Sequence, residues 1–331
     1  MSSGMWPRLW ATMAERRRAW LETLGPAIAL LLIYGLFSAL VPKSFPTLNN
    51  LEMMARQTVI VGMAGLGMTL IMIMGGIDLS AGSIVALSTV VTAWMLNEKY
   101  DPTLAALGGV AVGALCGWIN GLLVTGLRLV PFIATLGMML AVRGVAKGVA
   151  KEQKIDAPAS WLPELTASLR EDTSWMLLPP GVWMMLVLAL AVAGLLRYTR
   201  LGRHIFAIGS NEQTARLCGV AVERVKLAVY TLGAAFMGLA GLMQFSRLTV
   251  GDPTVAQGLE LDIIAAVVIG GGSLSGGKGS ILGTLVGALI MTVVKSGCVQ
   301  MGIKTWVQEI ITGLIIVVAV ALDRWRESRK A

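Results

Sequence analysis

Asp78 is a carboxylate in surroundings where a charge is hard to accommodate. It lies within the segment LIMIMGGIDLSAGSIVAL, Leu70 to Leu87, and no Lys or Arg stands within twenty positions of it. A charged side chain in the middle of a bilayer costs about 2.5 to 3.5 kcal/mol on insertion scales, and such residues mark transport paths and proton relays. Asp78 is therefore a candidate for the translocation path of a membrane transporter.

The neighbours of Asp78 also allow a plainer role. Gly75 and Gly76 end one apolar run and a new run begins after Ser80, so the helix is predicted to break here. Asp78 is then predicted to be the N-cap of the next helix, accepting hydrogen bonds from the amides of Ser80 or Ala81. Both roles stay open, because a broken helix on a transport path is where such a cap would be found.

The remaining residue types restrict the chemistry further. His204 is the only histidine, which excludes a catalytic histidine pair and a histidine-based metal centre. Cys116, Cys218 and Cys298 are odd in number and far apart, so they form neither a disulfide framework nor a metal site. We therefore predict no catalytic residue, no metal and no cofactor.

A second glycine-rich segment resembles the one around Asp78. IGGGSLSGGKGSILG, Ile269 to Gly283, shares with it the pattern GG, LS and GSI. Glycine-interrupted segments in the two halves of a chain indicate a transporter pathway, although chance similarity among Gly and Ser residues competes with this explanation. Gly272 to Lys278 also matches the P-loop pattern, but Gly279 stands where a P-loop needs Ser or Thr to hold Mg²⁺. We predict no nucleotide binding there.

Two carboxylates, Glu260 and Asp262, open the short run LELDIIAAVVIGG that precedes this segment. Carboxylates in a first helical turn are stabilised by the helix dipole by about 0.3 to 1 kcal/mol each, so helix stabilisation alone explains them. The run is about half a membrane span long. We expect it to lie inside the bundle beside the path, without crossing the bilayer by itself.

The longest basic stretch is RYTRLGRHIFAIGSNEQTARLCGVAVERVK, Arg197 to Lys226. Ser210 has capping-box spacing to the residues after it and Gly219 supplies a stop, which predicts a short helix of about two turns over Asn211 to Cys218. This helix either lies solvated on the membrane surface or is the handle by which a cytoplasmic motor moves the chain.

The elements that position these residues are membrane helices. Of the 331 residues, 56% are hydrophobic and 14% are charged, whereas soluble domains have about 25% charged residues. Ten apolar runs recur, of which the third, fifth, eighth and ninth are shorter than the roughly 20 residues that cross a bilayer. The predicted fold is all-α and polytopic, with about ten transmembrane helices, some short or broken at glycine. The runs are Leu24–Val41, Gln57–Met74, Ile84–Leu96, Thr103–Thr125, Leu129–Ala141, Leu177–Leu196, Leu227–Phe245, Leu259–Ile269, Ile281–Val294 and Trp306–Leu322.

The basic residues predict the topology. They cluster before the first run, between the sixth and seventh, and after the last, which places these parts and both termini in the cytoplasm by the positive-inside rule. The net charge of +8 is therefore a topology signal, and no nucleic acid partner is expected. The predicted parts are a cytoplasmic segment 1–23, a permease domain 24–322 with an outer loop 143–176 and a cytoplasmic loop 197–226, and a cytoplasmic tail 323–331.

Four motifs in order carry a resemblance to a known family. They are GGIDLSAGS (75–83), VPFIATLG (130–137), TRLGRHIFAIGSNEQTARLCGV (199–220) and GLELDIIAAVVIGGGSLSGGKGSILGT (258–284). Together they resemble the permease subunit of bacterial ABC sugar importers of the ribose, xylose and galactose type, from about Leu24 to Arg326. The resemblance implies a homodimer or heterodimer of permeases in the bacterial inner membrane, a cytoplasmic ATPase subunit with the true P-loops, and a periplasmic sugar-binding protein.

The resemblance also implies residue roles. The family's coupling helix, which inserts into a groove of the ATPase, falls on Ser210 to Val220, with Ala215 as the position where a small side chain allows close approach. Lys295 departs from the family, which has small or neutral polar residues there. The implied coupling residues are Ser210, Asn211, Glu212, Ala215, Arg216 and Gly219. The candidates for the path or its helix breaks are Gly75, Gly76, Asp78, Ser80, Pro131, Phe132, Thr135, Asp262, Gly271 and Ser273.

We therefore expect a transport subunit, itself no enzyme, that passes a monosaccharide or similar small polyol along a path at the dimer interface. ATP hydrolysis on the partner subunit would drive it. A neutral sugar needs no charged pore, and the spans offer hydroxyl groups, small residues and backbone at helix breaks along its path. The alternatives are a related permease for branched-chain amino acids and an ion-coupled secondary transporter in which Asp78 is the coupling carboxylate.

Overall fold

The computed structural model describes residues 25–169 and 173–328. Predicted features on the remaining residues, among them the cytoplasmic segment 1–23 and the basic residues 329–330, lie outside this range. The α-helices are α1 (Gly25–Leu40), α2 (Leu48–Ile73), α3 (Ala81–Asn97), α4 (Pro102–Thr125), α5 (Pro131–Val149), α6 (Pro180–Tyr198), α7 (Arg200–Ser210), α8 (Glu212–Leu217), α9 (Val222–Leu248), α10 (Leu259–Ile269), α11 (Ile281–Gln300) and α12 (Thr305–Ser328).

Each of the ten predicted runs corresponds to one helix. Six of them, α2, α4, α5, α6, α9 and α11, are long and apolar enough to cross a membrane, and α1, α3 and α12 contain shorter apolar stretches. The predicted fold class, a multi-pass membrane protein, is confirmed. The expectation that the fifth and ninth runs are short was wrong, because α5 has 19 residues and α11 has 20. Both helices continue through basic residues, Arg143 and Lys147 in α5 and Lys295 in α11.

The bundle has two ends, which we name by the elements found there. At the β end, β1 (Ile155–Asp156) pairs antiparallel with β2 (Val250–Gly251). Asn97, the last residue of α3, donates a hydrogen bond to the carbonyl of Asp156 at this end. At the α8 end, α7 packs against the last residue of α2, Ile73. The two ends are the two faces that a membrane would separate.

Glycine contacts between helices hold the centre of the bundle. A Cβ on Gly117 of α4 would lie 2.2 Å from the carbonyl oxygen of Tyr230 of α9, and one on Gly113 would lie 2.7 Å from that of Ala234. These distances are shorter than any real Cβ contact, so only glycine lets α4 and α9 approach this closely. Small residues at helix interfaces serve this purpose in membrane proteins, where packing drives helix association.

The connections at both ends differ from the predicted ones. The outer loop was predicted over residues 143–176, but α5 does not end until Val149, so the connection at the β end spans residues 150–179. It contains short 3₁₀ turns at Leu162–Leu165 and Ser174–Met176. At the α8 end, the predicted loop contains the unpredicted helix α7, whose Ile205 and Ile208 are buried. Burial of these apolar residues on one face of α7 holds the helix against the bundle.

Candidate translocation and coupling sites

Asp78 lies in the connection between α2 and α3 and is completely buried. Its Oδ1 accepts hydrogen bonds from the Ser80 amide at 2.9 Å and the Ser80 hydroxyl at 2.5 Å, and its Oδ2 accepts one from Nδ2 of Asn120 on α4 at 3.1 Å. The predicted bond from the Ser80 amide is confirmed. The predicted N-cap position was wrong, because α3 begins at Ala81 and Ser80 is its N-cap residue. The carboxylate therefore joins the start of α3 to α4.

Tyr230 of α9 adds a buried hydroxyl to this part of the bundle. Gly76 makes room for it, since a Cβ on Gly76 would lie 2.5 Å from the Tyr230 oxygen. Among the described residues, neither the Tyr230 hydroxyl nor Oδ1 of Asn120 has a hydrogen-bond partner. An unsatisfied buried polar atom costs about 1 to 3 kcal/mol. The surroundings of Asp78 thus contain hydrogen-bonding capacity that these residues do not use.

The two glycine-rich breaks, residues 74–80 and 270–280, meet in space. The amide of Gly277 donates a hydrogen bond to the carbonyl of Ile73 at 2.8 Å. A Cβ on Gly276 would lie 3.0 Å from the Cα of Gly75. Gly75, Gly276 and Gly277 have φ values of 87°, 88° and 72°, a conformation that favours glycine. The prediction that helices break at both segments is confirmed, and the structure brings the two breaks into contact.

Helix α7 closes on this contact from the α8 end. A Cβ on its penultimate residue, Gly209, would lie 1.7 Å from the carbonyl oxygen of Ile73 and 2.6 Å from the amide nitrogen of Gly277. We call Ile73, Gly75, Gly209, Gly276 and Gly277 the glycine junction. It links α7 to both helix breaks through backbone contacts that no side chain separates.

Helix α5 reaches the first break through Thr135. The Thr135 hydroxyl donates a hydrogen bond to the carbonyl of Ile77 at 3.1 Å. Pro131 is the first residue of α5, where its missing N–H removes no helical bond, and Phe132 after it is half exposed. Of these three predicted path residues, only Thr135 is therefore joined to the break around Asp78.

The short helix α10 and the start of the second break hold the remaining path candidates. Gly271 has a φ of 92° and the Ser273 hydroxyl accepts a hydrogen bond from the amide of Ser275 at 3.2 Å. Asp262, in the first turn of α10, is 4% exposed and accepts a hydrogen bond from the ammonium of Lys295 on α11. The expectation that this half-span run is buried in the bundle is confirmed.

The short helix predicted over Asn211 to Cys218 is present as α8, with two differences, and its coupling role stays a prediction. Its N-cap is Asn211, whose Oδ1 accepts from the amide of Thr214 at 2.8 Å, whereas Ser210 is the last residue of α7. Gly219 has a φ of 83° and follows the end of the helix, as predicted. Ala215 is 4% exposed and faces its own chain, whereas Leu217 is 88% exposed.

Charged residues surround α8 and join it to α9. The predicted pair of Glu212 and Arg216 is confirmed at 3.4 Å, and Glu212 also accepts from Lys226 at 2.7 Å. Arg216 forms a further ion pair with Glu223. These four residues, together with Arg128, line a cavity of about 540 Å³ at the α8 end. The short helix thus contacts the bundle through these ion pairs as well as through the buried Ala215.

Comparison with known proteins decides the family. Residues 50–320 match the model of a family described as the permease component of branched-chain amino acid transport systems. The chain belongs to this permease family. The match covers most of the chain, including both helix breaks, α7, α8 and α10.

Curated relatives of the permease are similar over almost their whole length. The ribose import permease protein RbsC of Escherichia coli is 38% identical over 96% of this chain and 99% of its own. RbsC of Bacillus subtilis is 39% identical over 92% and 93%, and the fructose import permease protein FrcC of Rhizobium meliloti is 37% identical over 91% and 84%. No solved structure matches the chain.

Sequence reasoning missed several residues that make the contacts at these candidate sites. Asn120 stands alone in the apolar stretch CGWINGLLV, and an isolated amide in a span is a signal that could have revealed it. Gly209 and Tyr230 carry no such signal, since their contacts come from distant segments. Arg143, predicted to begin the outer loop, lies in α5 and donates hydrogen bonds to the carbonyls of Pro253 at 3.0 Å and Val255 at 2.6 Å.

Proposed function

We propose that this permease is the transmembrane subunit of an ATP-driven importer of a monosaccharide or similar small polyol. The observation that carries the proposal is the similarity, over more than nine-tenths of the chain, to proteins that import ribose and fructose. A D-allose transport system permease protein of Escherichia coli is also 35% identical over 92% of the chain. The shared chemistry of these three solutes is a small, neutral, polyhydroxylated molecule.

The geometry at the α8 end supports a driven subunit. Leu217 exposes 88% of its surface on a short helix that the buried Ala215 and several ion pairs hold against the bundle. This helix follows directly on α7, which forms part of the glycine junction. A partner that displaces α8 would therefore act on both helix breaks through backbone contacts. An ATPase subunit bound at Leu217, on the cytoplasmic side of the membrane, is the partner we propose.

The remaining partners follow from the same proposal. Helix α5 presents one face with large exposed apolar side chains, among them Ile133 and Leu140, and we propose that a second permease copy covers it. The path would run between the two copies. A periplasmic binding protein would deliver the solute at the β end. In this orientation both termini lie in the cytoplasm, as the basic residues near them predict.

The family's description, which names branched-chain amino acids, favours a second solute class. Reconstitution in proteoliposomes with an ATPase subunit and a binding protein from the same organism separates the two. We expect ATP-dependent uptake of one of ribose, fructose or allose, and none of leucine. Uptake of leucine alone would establish the amino-acid permease. Uptake without the ATPase, driven by an ion gradient, would refute the driven subunit.

Leu217 provides the sharper test of coupling. Leu217→Glu places a charge on the exposed turn and leaves the buried face of α8 unchanged, so protein abundance should be unaffected. We expect solute-stimulated ATP hydrolysis and uptake to fall together by at least tenfold. Cys218→Ser, the neighbouring exposed position, is the matched control and should behave like the wild type. Normal transport by Leu217→Glu would mean that α8 is a passive connector.

A further inference from the structure

An ion pair inside the bundle joins α10 to α11. The Lys295 ammonium donates a hydrogen bond to Oδ2 of Asp262. The two partners differ in exposure, because the Asp262 side chain is 5% exposed and the Lys295 side chain is 44% exposed. The carboxylate is thus enclosed by the chain, while the lysine reaches a surface that the described part of the chain leaves open.

The pair lies within the length of α11, a helix long and apolar enough to cross a membrane. A Cβ on Gly283 would lie 1.9 Å from the carbonyl oxygen of Gly270, and one on Gly287 would lie 2.0 Å from that of Ala266, so the two helices run antiparallel and Asp262 lies one turn further toward Lys295. Lys295 is five residues before the end of α11 at Gln300, or about 8 Å below it. Charged residues at such depth almost always face the bundle interior or a water-filled cavity. The Lys295 ammonium is bound to the enclosed Asp262 carboxylate, so its side chain is directed at α10 and away from the end of α11.

The backbone beside the pair indicates what this side of α10 faces. Gly251 packs on Ala93 of α3 and Ala256 packs on Gly82, so the segment before α10 descends about 16 Å along α3 without forming a helix. Its last two residues, 257–258, are exposed. Irregular backbone at membrane depth is tolerated only where protein buries it or where it lines water. This side of α10 consequently faces a second copy of the chain or an aqueous path.

We propose that Lys295, held in place by the enclosed Asp262 carboxylate, contacts the hydroxyl groups of the solute as it passes through the membrane. This proposal rests on the proposed function and names a contact on its path. An ammonium has three donors, of which Asp262 takes one, so two remain for the solute. Sugar hydroxyls accept hydrogen bonds, so adjacent hydroxyls can accept both remaining donors of Lys295. The paired charges cancel, which suits a neutral polyol better than an ion.

A thiol-labelling experiment tests where Lys295 lies. In a Cys218→Ser background, where the remaining thiols Cys116 and Cys298 are buried, Lys295→Cys should react with a charged, membrane-impermeant methanethiosulfonate added from the periplasmic side. Leu314→Cys on α12, 61% exposed on an apolar helix, is the control and should react at least tenfold more slowly. Equal slow reaction at both positions would place Lys295 in lipid or in a closed interface and would overturn the proposal.

A double substitution separates solute contact from a structural ion pair. Asp262→Asn and Lys295→Met leave a partner unpaired when introduced singly, whereas the double variant removes both charges. If the pair only stabilises the fold, the double variant regains uptake. We expect it to regain abundance and stimulated ATP hydrolysis, while sugar uptake stays at least tenfold below wild type; full recovery of uptake would refute the contact. Absence of ATP-driven sugar uptake in the wild type would instead refute the proposed function. The labelling result would still show whether water reaches position 295.

Discussion

Gly209→Ala is the substitution that tests the glycine junction most directly. The added Cβ would lie 1.7 Å from the carbonyl oxygen of Ile73, whereas ordinary van der Waals contact begins at about 3.4 Å. The obstacles are the backbone of Ile73 and of Gly277, which cannot rotate away as a side chain can. The end of α7 must therefore move by about 1.7 Å relative to the two breaks.

The cost of this displacement sets the expected effect. Inserting a methyl group into a well-packed contact costs about 1 to 3 kcal/mol. Alanine is also a better helix former than glycine by about 1 kcal/mol, so α7 itself should persist. If the junction exists in one transport state and opens in another, a bias of 1 to 3 kcal/mol shifts their equilibrium by about 5- to 150-fold. We expect the rate of ATP-driven uptake in proteoliposomes to decrease by about 5- to 150-fold.

The control is the same change in open space. Gly194→Ala on α6 introduces a Cβ with no atom within 4 Å, so it adds the methyl group without a clash. Both variants should insert and unfold as single species in detergent, with Gly209→Ala alone impaired in uptake. If Gly209→Ala transports as well as Gly194→Ala, the junction does not change during transport and the coupling route through α7 is refuted.

Four further substitutions, at three positions, address the buried polar groups and the false P-loop. Asp78→Asn should keep most uptake, because the Asn120 amide can turn over and accept through its unpartnered oxygen. Asp78→Ala leaves buried donors unsatisfied, at a cost of about 1 to 3 kcal/mol, and should lower abundance and Tm. Loss of uptake by an abundant Asp78→Asn would show that the charge matters. Tyr230→Phe should leave the Tm unchanged or raise it, since the hydroxyl has no partner among the described residues, and a clear drop in Tm would reveal one. Lys278→Ala should leave the ATP affinity of the assembled transporter unchanged, and a tenfold loss would revive nucleotide binding at this segment.

The sequence predicted the helices well because apolar runs carry the signal for membrane spans. Boundaries were harder, since α5 continues through Arg143, which donates to the carbonyls of Pro253 and Val255, and through Lys147, whose long side chain a membrane helix accommodates near its end. The Asp78 prediction identified the right hydrogen bond and the wrong cap, because a two-residue shift in the helix start leaves the Ser80 amide within reach. The local sequence pattern was enough to predict a hydrogen bond where the two partners are neighbours in the chain.

Contacts between distant segments could not be predicted in this way. Gly209 occupies a helix, where glycine is merely unfavourable, and its purpose appears only when Ile73 and Gly277 are placed beside it. Ala215 was expected to face a partner, but a small residue serves equally well against its own chain, and it is buried there. Lys295 was recognised as unusual without its partner, since Asp262 lies on another helix.

The glycine contacts between α4 and α9 also constrain how the protein is made. The end of α9 follows the end of α4 by about 120 residues, which a ribosome adds in about 6 to 25 seconds at 5 to 20 residues per second. Throughout that interval the small-residue face around Gly113 and Gly117 has emerged without the helix it fits. It is then free to pair with the wrong helix of the same or another nascent chain. Substitutions on this face should therefore reduce how many molecules reach the membrane correctly assembled, and leave the turnover of those that do almost unchanged.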